Sequence, residues 1–176
     1  MEARDWVGAA IAALAETGEA GVAVEPLARR LGVTKGSFYW HFADRDALWT
    51  ALLDTYEREG TEVLIADIAC MDPRSRLVAI FAAAWERIDH LRAQRALFAS
   101  ARPDARATIA RVHDRRRRYM EDAYLELGFA PIHARNQAAA AYASYVGAVM
   151  LSDQEPFCTE DGLRAFVAHA GTTWIP

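Results

Sequence analysis

Residues 27–42 have the sequence LARRLGVTKGSFYWHF, and this stretch decides the fold. Leu27, Ala28 and Leu31 share one apolar helical face, so a short helix is predicted up to Leu31. Gly32 can adopt the left-handed backbone that ends a helix, and Thr34 is a residue type that begins one. The pattern therefore predicts a helix, a tight turn and a second helix, which is a helix-turn-helix.

The second helix carries the residue types that contact nucleic acid. A recognition helix needs small or polar residues at its N-terminus to approach base edges, and here these are Thr34, Lys35, Gly36 and Ser37. Tyr39 and His41 supply a hydroxyl and an imidazole that can donate to phosphate oxygens. Phe38 and Phe42 are four residues apart and are predicted to face the core of the module.

Helical periodicity continues on both sides of this stretch. Apolar residues recur upstream at Trp6, Ala10 and Leu14, and Asp44 is a suitable N-cap for a long helix that follows. The sequence predicts an all-α protein of about nine helices. We expect a helix-turn-helix domain over residues 1–46 and a second helical domain over residues 47–176.

Composition excludes several classes of protein. The chain has 176 residues, of which 53% are hydrophobic and 25% charged, with a net charge of −4, so a disordered chain is excluded. Two cysteines cannot form a disulfide framework, which favours a cytoplasmic location. No secretory signal begins the sequence, and the uncharged stretch 138–152 is too short to cross a bilayer, so no membrane partner is expected.

Catalytic and metal-binding motifs are missing from the sequence. The five histidines show no metal-ligand spacing with one another or with either cysteine; they are His41, His90, His113, His133 and His169. No glycine-rich phosphate loop or nucleophile elbow is present. We therefore expect no metal, no cofactor and no enzyme activity.

The segment 32–42, followed by Asp44-Arg45-Asp46-Ala47-Leu48, closely resembles the DNA-binding signature of TetR-family transcriptional regulators over about the first fifty residues. The resemblance implies that residues 34–37 lie nearest the bases and that Trp40 faces the groove. It implies that Tyr39 and His41 contact phosphates, with further backbone contacts from Arg45 and Arg4. It also implies a homodimeric repressor whose partner is double-stranded, near-palindromic operator DNA.

Two features depart from the family pattern. Ala23 stands where the family often has a Thr or Ser that caps the second helix and contacts a phosphate. Residues 1–50 hold five basic residues, namely Arg4, Arg29, Arg30, Lys35 and Arg45, against seven acidic ones, namely Glu2, Asp5, Glu16, Glu19, Glu25, Asp44 and Asp46. Because few ionic phosphate contacts are then available, we predict that DNA affinity depends only weakly on salt.

The resemblance also implies that the second half of the chain dimerises and binds a small-molecule effector of unknown identity. Aromatic and polar residues of the middle helices are the candidates for its pocket: Phe81, Trp85, Ile88, Phe98, His113, Tyr119 and Tyr142. Apolar residues of the last two long helices are the candidates for a dimer interface: Ala138, Ala141, Tyr145, Val149, Met150, Leu163, Phe166, Val167 and Ala170. An ordinary core within one chain is the alternative for these residues.

Arg115 to Arg118 form a run of four arginines. Glu121 and Asp122 follow Arg117 and Arg118 at i+4 spacing, which favours surface ion pairs; the alternative is an anionic ligand held by one inward-pointing arginine.

Two alternatives to a ligand-responsive repressor also remain at this point. One is a regulator that responds to no ligand, and the other is a helical small-molecule-binding protein with a vestigial helix-turn-helix. The operator sequence and the sign of regulation are not encoded in any motif.

Overall fold

A computed structural model describes residues 1–84 and 88–176, and most of these residues lie in helices. The described residues form nine helices, which confirms the all-α prediction. These are α1 (Ala3–Thr17), α2 (Val24–Leu31), α3 (Lys35–Tyr39), α4, α5 (Pro73–Ala84), α6 (Ile88–Phe98), α7 (Pro103–Glu126), α8 (Pro131–Met150) and α9 (Glu160–Trp174). Helix α4 is continuous through an α-helical part Arg45–Glu57, a π-helical turn Arg58–Val63 and a second α-helical part Leu64–Ile68.

A first apolar core joins α1 to α4. The rings of Trp6 and Phe38 meet edge to face with centroids 5.2 Å apart, and neither side chain is exposed to solvent. Leu48 and Trp49 of α4 are also fully buried in this core. Burial of each such side chain contributes roughly 1.5–3 kcal/mol, so the core holds α3 firmly in place.

Local signals set the geometry of the helix-turn-helix. Gly32 ends α2 with φ 67° and ψ 30°, the left-handed conformation that glycine adopts without strain. The Asp44 carboxylate accepts a hydrogen bond of 2.8 Å from the amide of Ala47 and so caps α4. Ala23 is the N-cap of α2 and makes no side-chain cap, as its methyl group dictates. Helix α3 is shorter than predicted, because the chain turns after Tyr39.

A second core lies among α5 to α9. Leu77, Leu91 and Tyr124 are fully buried there. The Tyr124 hydroxyl donates a 2.6 Å hydrogen bond to the carbonyl of Trp174 and so fastens the end of α9 to α7. Burial raises the pKa of Tyr124 to about 12. The hydroxyl therefore remains a donor throughout the neutral range.

The two cores are continuous through α4, α6 and α7. Leu97 of α6 and Ile109 of α7 belong to the first core, together with α4. The domain boundary predicted between residues 46 and 47 falls in the first turn of α4 and stays a prediction.

Ile88 lies in α6, whereas the apolar periodicity of the sequence places it at the end of the preceding helix. None of the described helices combines the length and the apolar character that a membrane span requires.

Candidate DNA-binding surface and internal cavity

The helix-turn-helix presents an exposed polar and aromatic surface. Thr34, Lys35 and Gly36 are exposed and Ser37 is half-buried, while Phe38 and Phe42 are buried, as predicted. Beyond α3, 61% of Tyr39 and 88% of Trp40 are accessible to solvent, and His41 is exposed as well. Most of the Trp40 indole and more than half of Tyr39 are therefore available for contact from outside the chain.

Basic side chains around this surface are paired with carboxylates. Lys35 forms an ion pair with Glu25 of α2, and Arg30 binds both carboxylate oxygens of Glu16 at 2.7 Å. The pKa of Glu25 is lowered by its hydrogen bond to Lys35, and the pKa of Glu16 by its hydrogen bond to Arg30. Arg4 is exposed and lies 2.9 Å from the carboxylate of Glu2. The surface therefore carries little uncompensated positive charge.

Arg45 holds α4 against the connection between α1 and α2. Its Nε atom donates to the carbonyl of Val22 at 2.5 Å, and a terminal nitrogen donates to the carbonyl of Glu19 at 2.8 Å. The guanidinium is thus engaged within the protein. Its predicted phosphate contact stays a prediction, and that contact requires either the remaining nitrogen or the release of these bonds.

A cavity of about 410 Å³ lies between α4, α5, α6, α7 and α8. Three of the predicted pocket residues line it, namely Phe81, Tyr119 and Tyr142. Trp85 lies outside the described residues, as does the side chain of Ile88. Apolar walls come from Leu64, Ile65 and Ile80, and polar lining comes from Glu59, Thr61, Asp67, His90, Gln94, Arg116 and Tyr145.

Two predicted pocket residues do not line the cavity. The His113 ring lies between Phe98, at a centroid distance of 4.8 Å, and Tyr142, at 5.5 Å, with edge-to-face geometry on both sides. His113 and Phe98 therefore form a packed aromatic layer behind the lining. Burial, followed by the nearby positive charge of Arg116, lowers the pKa of His113. The neutral form of the ring is thus favoured, and the predicted role of His113 as a polar handle stays a prediction.

Arg116 enters the cavity, and sequence reasoning assigned it no definite role. Its guanidinium donates to the Thr61 hydroxyl at 2.9 Å, the Gly60 carbonyl at 2.8 Å and the Tyr145 hydroxyl at 3.3 Å. It also lies over the Tyr56 ring, 5.3 Å from the centroid. The sequence pattern could have indicated this position. The buried stripe of α7 includes Ile109, Val112, Met120 and Ala123, and residue 116 lies on the same face of the helix.

The other arginines of the run lie on the surface. Arg115 is 3.4 Å from Glu62, and Asp114 pairs with both Arg117 and Arg118 at 2.9 Å. The predicted pair of Arg117 with Glu121 is present at 3.7 Å. The run is therefore three arginines on the surface and one half-buried arginine that reaches the cavity.

The N-terminal module matches a known family. Residues 7–52 match the model of the bacterial regulatory proteins of the tetR family. The N-terminal module is therefore similar to the matched domain of this family. None of the curated proteins matches the chain.

Solved structures of transcriptional regulators share the fold over almost the whole chain. A transcriptional regulator from Rhodococcus sp. Rha1 aligns with a TM-score of 0.76 at 19% identity, over 99% of this chain and 96% of that one. FadR from Bacillus subtilis in complex with stearoyl-CoA aligns with a TM-score of 0.70 at 15% identity, over 98% and 97%. A TetR/AcrR-family regulator from Thermobifida fusca aligns with a TM-score of 0.67 at 18% identity, over 98% and 96%. At these identities the likeness establishes the fold.

Most of the predicted dimer residues are not on the surface of the chain. Six of them are buried inside one chain and offer no surface to a partner: Ala138, Ala141, Tyr145, Val149, Leu163 and Ala170. Ala141 and Tyr145 line the cavity instead. Phe166 and Val167 are half-buried against the second core, and Met150 remains 41% exposed. The outward stripe of α8 consists of other residues, among them Ala139, Ala140 and Ala143.

Clusters that resemble a metal site do not occur in the described part of the chain. Within residues 1–84 and 88–176, no three His, Cys, Asp or Glu side chains converge as a bound metal ion requires. The polar groups of the cavity are instead suited to binding an organic molecule.

Proposed function

We propose that this protein is a homodimeric repressor of the TetR family that binds a near-palindromic operator and releases it when a small molecule occupies the cavity. The observation that carries the proposal is the exposure of Trp40, at 88%, beside Tyr39 on a helix-turn-helix whose other aromatic residues are buried. A water-exposed indole is costly unless a partner covers it. The matching family model supports DNA as that partner.

DNA contact would use mainly neutral groups. Helix α3 would enter the major groove with Thr34 to Ser37 nearest the bases and Trp40 facing the groove. Tyr39, His41 and Arg4 would bind phosphate oxygens on either side. Since the carboxylate of Glu25 already holds Lys35, affinity would depend on hydrogen bonds and shape more than on counterion release.

The homodimer follows from the operator and from the outward face of α8 and α9. Two half-sites require two recognition helices, and a closed pair forms most simply with twofold symmetry. Small exposed residues line the outward stripe of both helices and permit close approach: Ala139, Ala140 and Ala143 of α8, with Ala165 and Ala168 of α9. This face replaces the buried residues that the sequence favoured.

Effector control would act through the loop between α6 and α7. The Ser100 hydroxyl binds the Glu19 carboxylate, and the amide of Ala101 binds the same carboxylate at 3.2 Å. Arg102 of this loop lies 3.0 Å from Asp46 at the start of α4. An effector that favours a different placement of α7 would therefore move the N-terminal module and change the spacing of the recognition helices, provided it binds the two states unequally.

Selection of tight-binding fragments from random duplex DNA tests the proposal. Purified protein at moderate salt is expected to enrich one near-palindrome. Tyr39→Ala is expected to weaken binding to every enriched sequence, because it removes a phosphate contact. Lys35→Ala is expected to change the preference among sequences, and Arg118→Ala, on the surface of α7, should change neither.

The opposite results have defined meanings. If the folded dimer enriches no sequence, and Tyr39→Ala leaves any DNA affinity unchanged, the helix-turn-helix is vestigial and the chain is a helical binding protein. The pairing of Lys35 with Glu25 is the observation that favours this second candidate. If an operator is enriched but no compound changes its affinity, the protein regulates without a ligand.

A further inference from the structure

The guanidinium of Arg116 is surrounded by neutral partners inside the cavity. It donates to Thr61, Gly60 and Tyr145 and lies over Tyr56. No carboxylate of the described residues forms an ion pair with it, although Glu59 and Asp67 stand elsewhere along the cavity wall. The charge of Arg116 is therefore hydrogen-bonded but not neutralised.

Arg76 is buried more deeply than the half-buried Arg116 and shows how an arginine is paired elsewhere in the described part of the chain. The Arg76 side chain is only 9% exposed, and it forms an ion pair with Glu126. A buried charge without an opposite charge is costly, because desolvation is not offset by coulombic attraction. Arg116 has neutral hydrogen-bond partners only, whereas Arg76 also has a carboxylate partner.

Two tyrosine hydroxyl groups lie in the same cavity. Tyr142 is 9% exposed, and its buried hydroxyl lies near the Arg116 guanidinium without a well-formed hydrogen bond to any described residue. The Tyr119 hydroxyl is also buried, and Arg76 lies over its ring. Both tyrosines line the cavity beside the apolar side chains of Leu64, Ile65 and Ile80. The cavity thus combines one cation and two tyrosine hydroxyls with an apolar wall.

We propose that the effector is a monocarboxylate with a hydrocarbon body, whose carboxylate binds Arg116 and whose body fills the apolar part of the cavity. This inference rests on the proposed role of the cavity as the effector site. A guanidinium matches the planar carboxylate with two parallel hydrogen bonds. A single negative charge fits best, because Glu59 and Asp67 would repel a second one.

The carboxylate would compete with the π-helical turn of α4. Arg116 now donates to Gly60 and Thr61, which both belong to that turn. A ligand oxygen that takes over these donors releases the turn, and π-helical turns are less favourable than regular helix. Since the same helix begins at Arg45, which is bonded to Val22 and Glu19, a change in the turn reaches the N-terminal module along one rigid element.

Calorimetric titration with decanoate and decanamide tests the charge requirement, with 4-phenylbutyrate and its amide as a second pair of probes. Wild-type protein is expected to bind each acid about tenfold or more tightly than its amide, since a hydrogen bond to a charged group is the stronger one. Arg116→Gln should remove most of that preference and leave amide binding nearly unchanged. Arg115→Gln, the adjacent surface arginine, is the matched control and should bind like wild type.

A further variant guards against misfolding of Arg116→Gln, which circular dichroism would reveal. Tyr142→Phe keeps the ring and its contact with His113 and removes only the hydroxyl beside Arg116, so it should fold and weaken decanoate binding about threefold. The inference is overturned if wild type binds acid and amide equally, if it binds neither acid, or if Arg116→Gln weakens acid and amide by the same factor.

Measurements of operator binding distinguish failure of the carboxylate inference from failure of the proposed function. If the protein enriches an operator but binds neither acid, the carboxylate inference is overturned, and the proposed function as a DNA-binding regulator still holds. Arg116-dependent binding of decanoate that leaves operator affinity unchanged overturns the effector role, although the anion site itself stands.

Discussion

Arg102 places its guanidinium over the indole of Trp49, 4.9 Å from the ring centroid. Trp49 is fully buried in the first core, whereas Arg102 immediately precedes α7 of the second. The same guanidinium pairs with Asp46 at 3.0 Å and with Asp104 at 2.7 Å. One side chain therefore joins the start of α4 to the start of α7.

We predict that Arg102→Gln lowers the free energy of unfolding by about 1–3 kcal/mol, because a cation–π contact and charged hydrogen bonds are lost together. Urea denaturation followed by tryptophan fluorescence measures the change. Arg118→Gln, whose side chain is 68% exposed, should change it by less than about 0.5 kcal/mol. Equal stability of wild type and Arg102→Gln would contradict a structural role for the contact.

Glu25→Gln is expected to strengthen DNA binding. The substitution removes the carboxylate that holds Lys35, so the ammonium becomes available to a phosphate. The slope of log K against log salt should steepen by about 0.9, the value for one additional neutralised phosphate. Fluorescence anisotropy over a salt series measures it, with Glu62→Gln on the distant helix surface as control. An unchanged slope would mean that Lys35 meets no phosphate.

Arg45→Met should destabilise the N-terminal module. The variant keeps an apolar stem of similar length but loses the hydrogen bonds to the carbonyls of Val22 and Glu19, at a cost of about 1–2 kcal/mol. Urea denaturation measures the loss. Arg45→Lys should retain part of the stability. If Arg45→Met is as stable as wild type yet binds operator weakly, the residue acts on phosphate instead.

His113 makes stability depend on pH. Its pKa in the folded state lies below the ordinary value of 6.5 because of burial and the charge of Arg116, so the unfolded chain binds more protons as the pH falls through that value. The free energy of unfolding should therefore decrease from about pH 7.5 to about pH 5.5. In His113→Leu this decrease should be smaller, whereas His133→Leu, at an exposed position, should behave like wild type. Parallel pH profiles for wild type and His113→Leu would refute the assignment.

Ala143→Arg tests the outward face of α8. A large charged side chain at this exposed position would block close approach of a second chain without disturbing the core. Analytical ultracentrifugation should show a folded monomer with weakened affinity for the palindrome. Ala82→Arg on exposed α5 is the matched control and should remain dimeric. A dimeric Ala143→Arg would place the interface elsewhere.

Local signals made the DNA-binding half predictable. Gly32 has the left-handed conformation expected of it, and Asp44 caps α4 as its position indicates. Phe38 and Phe42 are buried because their four-residue spacing sets them on the core side. Each of these outcomes depends on residues that are close in sequence, and the sequence therefore contains the necessary information.

The second half was less predictable because its patterns are ambiguous. Helix α8 carries alanine on both its inner and outer faces, for example Ala138 and Ala141 inside and Ala139 and Ala143 outside, so periodicity cannot distinguish core from interface. Arg116 falls on a buried stripe, but its partners come from a π-helical turn more than fifty residues away in the sequence. Contacts of that kind depend on the tertiary fold.

The pairing of basic residues around the recognition helix has a kinetic consequence. With Lys35 and Arg30 each engaged by a carboxylate, the module gains little from counterion release on random DNA. For the regulator proposed above, a larger share of the molecules would then remain free in solution rather than bound to random DNA. The search for the operator would proceed mainly by three-dimensional diffusion, and few molecules would be held on competing sites.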